Sequence, residues 1–189
     1  ANSFDTVVAY DGGADHVIQV PGMNPGNVGR IVEGTVFTRA PANKKYTALF
    51  VTGSNIGDGQ SLFDAVKKCF FGNFRVSMML DSNGANTTSA SAVAYIEKHL
   101  DPAGKRAVIL AGTGPVGQRA AVLLARLGAS VLITSRQRDR AEAACAAMTQ
   151  RFGITLEAAA ASDAASTAAC LEGAHIVLTT GAAGVQLLG

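Results

Sequence analysis

Three groups of residues in this 189-residue chain have the types and spacing that chemistry would need. The first is a glycine run, Gly112-Thr113-Gly114-Pro115-Val116-Gly117, a G-x-G-x-x-G. Gly112 permits a tight turn, Gly114 lets a pyrophosphate approach backbone that has no Cβ, and Gly117 lets a helix pack close to a strand. Pro115 suits a first helical turn, where a missing N–H costs nothing. The helix start would offer N–H groups and a positive dipole end to phosphates. Residues 112–117, Thr113 and Val116 included, are therefore expected to hold a diphosphate.

The second group is basic: Ser135 and Arg136, followed by Gln137, Arg138, Asp139 and Arg140. Sites for NAD or FAD usually carry an acid here. A hydroxyl and a guanidinium suit a ribose 2′-phosphate instead, through a forked, charge-assisted contact. NADP is the expected cofactor, held by Ser135, Arg136 and Arg140, and neutral Gln137 leaves some NAD use open. The third group is carboxylates and amides in two glycine-bearing loops, Asp11 to His16 and Asp81 to Thr88. Asp11, Asp15, His16, Asp81, Asn83 and Asn86 could position a substrate or steady a cation. The same residue types also make turns and caps, and both readings stand.

These groups need elements to place them. Ala107 to Ala111 is a continuous apolar run, as a strand buried on both faces should be. Val116, Ala120, Leu123, Leu124 and Leu127 then recur at helical steps, and Gly128 sits where a left-handed cap belongs. Val131 to Thr134 is a second strand. Strand, glycine turn, helix and strand form the context that lets the motif be read as a dinucleotide site. Further on come a helix over Ala141–Phe152 closed by Gly153, a strand over Ile154–Ala158, a helix over Asp163–Leu171 and a strand over His175–Thr180. Thr179 and Thr180 are expected beside the nicotinamide ribose. A doubly wound domain has about six strands, so four predict a domain cut short at its C-terminus.

Upstream, the pattern predicts a strand at Thr6–Tyr10 turning at Asp11-Gly12-Gly13. A helix start follows near Asn24-Pro25, then strands at Tyr46–Val51 and Phe74–Leu80 around a helix carrying Leu62, Phe63, Val66, Cys69 and Phe70. Asn86 or Thr87 should cap a further helix, with Val93, Ile96 and Leu100 inward. Alternating strands and helices argue α/β architecture with a mainly parallel sheet. The break at Asp101-Pro102-Ala103-Gly104 divides the chain into an α/β substrate domain, 1–103, and a Rossmann-like nucleotide domain, 104–189.

The formal charge is +2, with no basic stripe interleaved with aromatics, which argues against nucleic-acid binding. No run of about 18 apolar residues suggests a membrane span, and Ala1 to Asp5 lacks the parts of a secretory signal. Cys69, Cys145 and Cys170 fit no disulfide or zinc spacing and read as reduced thiols of a cytoplasmic protein. His16, His99 and His175 are dispersed, so no metal site is expected.

Taken together, DGGADH (Asp11–His16), VEGTVFTR (Val32–Arg39), AVKKCFFGNFRVSMMLDSNGANTT (Ala65–Thr88) and VILAGTGPVGQRAAVLLARLGA (Val108–Ala129) resemble the bacterial methylene-tetrahydromethanopterin dehydrogenases of methylotrophs. The resemblance implies hydride transfer from a methylene-pterin carrier to NADP or NAD, giving the methenyl form. In some members the folate analogue also serves. It further implies a homo-oligomer and a chain that continues well past Gly189. Ser135-Arg136-Gln137 with Arg140-Ala141 is also similar to the NADP clamp of shikimate dehydrogenases, although no convincing Lys and Asp pair of that family is found. A shikimate-type NADP oxidoreductase and a non-catalytic, NADP-binding or oligomerising fragment are the alternative readings.

Overall fold

The computed structural model describes residues 3–188, which fall into two compact units, one ending at Gly84 and one beginning at Ala85. The first contains α1 (Ser3–Asp11), α2 (Gly29–Phe37), β1 (Ala48–Val51), α3 (Ile56–Cys69) and β2 (Ser77–Leu80). It also has two 3-10 turns, Pro41–Tyr46 and Ser82–Gly84. β1 and β2 pair in parallel, Leu49 opposite Met78 and Val51 opposite Leu80. Those four residues face a core in which Val28, Val32 and Val36, four apart, meet Val51, Val66 and Val76. The opposite face carries Phe50 paired with Met79, both exposed.

The expected first strand at Thr6–Tyr10 is instead part of α1. A short apolar run does not separate strand from helix by periodicity. Asp5 in the first turn complements the helix dipole. The glycines that read as a strand turn are a helix stop: Gly13 has φ +92, Gly13 N–H donates to Tyr10 O and Ala14 N–H to Ala9 O. That nested pair is a Schellman cap. Similarly, α2 starts at Gly29 rather than near Pro25, because Asn24 closes a turn of its own, accepting from Gly26 N–H through its side chain. Of the strand expected at Phe74–Leu80 only Ser77–Leu80 forms; Phe74 bridges back to Phe71.

The second unit runs α4 (Ala85–His99), β3 (Arg106–Leu110), α5 (Pro115–Arg126), β4 (Ser130–Ser135), α6 (Arg138–Phe152), β5 (Glu157–Ala160), α7 (Ala164–Leu171) and β6 (Ile176–Thr179). α4 follows the 3-10 turn directly, so Asn86 and Thr87 lie inside its first turn rather than capping it. β5 begins at Glu157 rather than Ile154, and Ile154 and Leu156 pack on the core as they approach it.

The four strands are parallel in the order β5-β4-β3-β6. Successive strand residues point to opposite faces. Ala107, Ile109, Val131 and Ile133 face α5 and α6, meeting Ala120, Leu124, Cys145 and Met148. Val108, Leu110 and Leu132 face the other side with Cys170 of α7. Helices thus cover both faces, as a doubly wound sheet requires. Each fully buried side chain such as Ile109, Leu124 or Ile133 contributes roughly 1.5–3 kcal/mol. The glycine turn is anchored on this rigid sheet.

Candidate functional site

β3 ends at Leu110, and the chain then turns through Ala111 to Gly114 into α5, with Pro115 as its first residue. The three glycines of the motif are there for different reasons. A Cβ on Gly112 would sit 2.9 Å from Ile133 Cγ2 and 3.0 Å from Ile109 O. On Gly117 it would sit 2.6 Å from Gly112 Cα and 2.6 Å from Thr180 Oγ1. On Gly114 it would meet no atom within 4 Å among the described residues. Two glycines are thus required by the protein's own packing, and the third faces open space. Ala111, immediately before Gly112, takes a left-handed backbone conformation, with φ +53.

Beside the turn lies a cleft of about 610 Å³ at the C-terminal ends of the strands. Ala111 and Thr113 line it from the turn, and Thr134, Ser135, Arg136, Gln137 and Arg140 from the end of β4 and the start of α6. Ala161, Thr167, Val185 and Leu187 close the remaining side. Among the described residues that line it, the charged ones are Arg136 and Arg140, with no carboxylate. Arg138, between them in sequence, pairs with Glu142 on the exposed side of α6 at 2.7 Å.

Of the expected nucleotide residues, Thr113, Ser135, Arg136 and Arg140 line the cleft together. Gly112 and Gly117 are buried beneath the turn, and Thr113 and Val116 are half-buried, Val116 in the first turn of α5. Thr179 ends β6 opposite Leu110, outside the lining. The Thr180 hydroxyl lies 3.2 Å from Leu110 O and 3.1 Å from Ala111 O, so it turns toward backbone. Gln118 Nε2 donates to Thr113 O at 2.6 Å and steadies the turn from the helix side. Nothing in the sequence singles out Gln118 or Thr134; a threonine at a strand end carries no signal beyond β propensity.

The substrate loops fare unevenly. Asp11 closes α1, and Asp15 and His16 are exposed in the loop after it. This loop does not follow a parallel strand, so the strand-end argument for Asp11, Asp15 and His16 falls. The carboxylate that does approach the end of β1 is Asp5, which accepts from Thr52 Oγ1 at 2.9 Å. Asp81 is buried directly after β2, and its N–H donates to Val51 O at 2.9 Å. Asn83 has φ +54, so it makes the turn in the left-handed region that asparagine tolerates. Asn86 lies in the first turn of α4, in the second unit.

Elsewhere, burial pushes the Cys145 thiol pKa up, with Glu142 adding to it, and Cys170 is likewise buried. Among the described residues no three His, Cys, Asp or Glu gather as metal ligands would, and no helix is long and apolar enough to cross a membrane.

A parallel sheet covered on both faces, a glycine turn leading into a helix, and a basic cleft at the strand ends define an α/β unit of the dinucleotide-binding class. Residues 3–83 match the family model described as methylene-tetrahydromethanopterin dehydrogenase, N-terminal. The chain is 51% identical over 187 residues to the Bifunctional protein MdtA of Methylorubrum extorquens, and 32% identical over 192 residues to that organism's NAD(P)-dependent methylenetetrahydromethanopterin dehydrogenase. Each comparison covers 98% of this chain and 65% of the relative. This chain spans 65% of the length of each of these two relatives. Among solved structures, 5-ketofructose reductase of Gluconobacter sp. strain CHM43 is 26% identical with a TM-score of 0.42, over 58% of this chain and 36% of that one. A dipicolinate synthase from Bacillus halodurans is 19% identical with a TM-score of 0.39, over 72% and 43%.

Proposed function

We propose that this chain binds pterin and nucleotide in a dehydrogenase that moves a hydride from methylene-tetrahydromethanopterin to NADP. NAD and the folate carrier are the second choices. In this reading residues 1–103 serve the pterin and residues 104–189 the nucleotide. The observation that carries it is the open space over Gly114 beside a cleft whose charged lining residues are two arginines.

The residues fit such a group. Backbone N–H groups at Gly114 and the first turn of α5 suit a diphosphate. Ser135, Arg136 and Arg140 suit a 2′-phosphate. When bound, the nicotinamide supplies the hydride acceptor. At the pterin, the methylene C–H bond breaks with its electron pair, and lone pairs on the two flanking nitrogens stabilise the methenyl cation. No residue has to act as a strong base, and the protein's contribution is to hold the reacting carbons together. Asp81, Asn83 and Asn86 hold the pterin's polar edge in this reading, and Asp11, Asp15 and His16 form the weaker second set. Thr179 marks the nicotinamide side of the turn. A cytoplasmic homo-oligomer completes the proposal; three free cysteines accord with a reducing compartment.

Calorimetric titration with NADP+ and NAD+ tests the site. Arg136→Ala should weaken NADP+ at least about tenfold, the scale of a lost charged hydrogen bond, and leave NAD+ nearly unchanged. Equal loss for both would remove the 2′-phosphate assignment. A spectrophotometric assay with methylene-tetrahydromethanopterin, on this chain and on one of the relatives' full length, tests the reaction. Binding without turnover in the longer chain would leave a nucleotide-binding module in place of a dehydrogenase.

A further inference from the structure

We infer that Thr134 and Thr180 are positioning residues whose hydroxyls hold Ala111 in the left-handed conformation that aims the glycine turn at its ligand. The inference rests on the nucleotide reading above and goes beyond it.

Ala111 has φ +53, a region where an L side chain crowds its own carbonyl. Glycine would be the usual occupant. Polar contacts from both sides of β3 converge on this one residue. Ala111 N–H donates to Thr134 Oγ1 at 3.3 Å, and the same hydroxyl reaches Ile109 O at 3.5 Å. One accepted and one donated bond is what a hydroxyl can supply. From the other side, Thr180 Oγ1 lies 3.2 Å from Leu110 O and 3.1 Å from Ala111 O, sharing its proton between them. Thr134 is 1% exposed, so its bonds are not diluted by water.

The glycine motif is built around this clamp. A Cβ on Gly117 would sit 2.6 Å from Thr180 Oγ1, so Gly117 makes room for the hydroxyl as well as for Gly112. Were Ala111 to relax to a right-handed conformation, the chain beyond it would leave in another direction and carry Thr113 and Gly114 away from the cleft. Apparent affinity falls in proportion to the fraction of chains with the turn in its competent form. The threonines therefore act on affinity through Ala111.

Glycine at position 111 discriminates this role from mere packing. Calorimetric titration of the whole chain with NADP+ should find Thr134→Val and Thr180→Val each about fivefold weaker, the scale of one neutral hydrogen bond. The double variant should be weaker still. In a chain that already carries Ala111→Gly, the same threonine substitutions should change affinity by less than about twofold, because glycine enters the left-handed region without the clamp. Thr134→Ser and Thr180→Ser keep the hydroxyl and should keep affinity. A loss that persists after Ala111→Gly, or no loss in the double variant, overturns the inference. Amide exchange without nucleotide gives a second readout: Thr180→Val should speed exchange at Ala111 N–H, whose own bond is to Thr134. If the unaltered chain binds no NADP+, the nucleotide reading fails, and the exchange data alone decide the clamp: faster exchange supports it and unchanged exchange overturns it.

Discussion

The two sheets of this chain are both parallel, yet they are built in opposite circumstances. In β3 and β4, Ala107 to Leu110 and Val131 to Thr134 are buried without a break. In β1 and β2 burial alternates, and Phe50 and Met79 lie side by side on an exposed face. Parallel strands are normally covered on both faces. The sheet whose two central strands are covered is the one that carries the glycine turn, as a site held to within fractions of an ångström needs rigid support.

The largest test of this contrast is in the cores. Ile109→Ala should cost about 2–5 kcal/mol, because Ile109 is completely buried and the cavity can close only in part. Phe50→Ala, on the bare face of β1, should cost under about 1 kcal/mol. Denaturant unfolding followed by circular dichroism measures both. Similar costs would mean that Phe50 is covered in solution and that the two sheets are alike after all.

The same contrast explains what the sequence can reveal. The stretch from β3 through β4 is legible because a continuous apolar run, a helical period and a glycine turn agree there, which is the condition for a sequence to specify one structure. In α1 they conflict. Val7 and Val8 favour strands, but they are largely exposed in α1, so packing leaves no usual signature. Gly12 and Gly13 fit a turn and a helix stop equally well. The site is legible in the same uneven way. Ser135, Arg136 and Arg140 announce a phosphate by charge and place. Ala111 gives no hint of a left-handed backbone, and Thr134 and Thr180 look like any β-formers until their hydroxyls are seen to point at it. Asp11, Asp15 and His16 belong with strand-end ligands only if Thr6–Tyr10 is a strand, and it is a helix.

Within the turn, the two kinds of glycine can be separated. Gly117→Ala forces a methyl to 2.6 Å from the backbone of Gly112, which cannot give way without moving the turn. It should destabilise the second unit by about 1–3 kcal/mol, the usual scale of overpacking, and abolish nucleotide binding with it. Gly114→Ala places its methyl in open space. The thermal transition should stay nearly where it was while NADP+ affinity falls. Loss of stability in both variants would show that Gly114 is a packing glycine, and the cleft would lose its claim on a phosphate.

The smallest expected difference lies in two helix caps, one in each unit. α3 is capped by Asn55, whose side chain accepts from Asp58 N–H at 3.1 Å, and asparagine does not titrate. α7 is capped by Asp163 in a reciprocal box with Ser166. The Ser166 backbone N–H, ahead of its hydroxyl, holds the Asp163 carboxyl below its ordinary pKa of 3.8. A carboxyl depressed in the folded state stabilises above its unfolded pKa, and that contribution disappears as pH falls through the folded value. Asp163→Asn keeps an accepting oxygen but removes the charge that favours a helix N-terminus. At neutral pH the variant should therefore melt slightly below the unaltered chain, and the gap should close on acidification below about pH 4. Asn55→Asp in α3 should introduce the same pH dependence into the first unit. If the gap at Asp163 is as wide at about pH 3 as at about pH 7, geometry rather than charge makes that cap, and in this respect the two units end their helices alike.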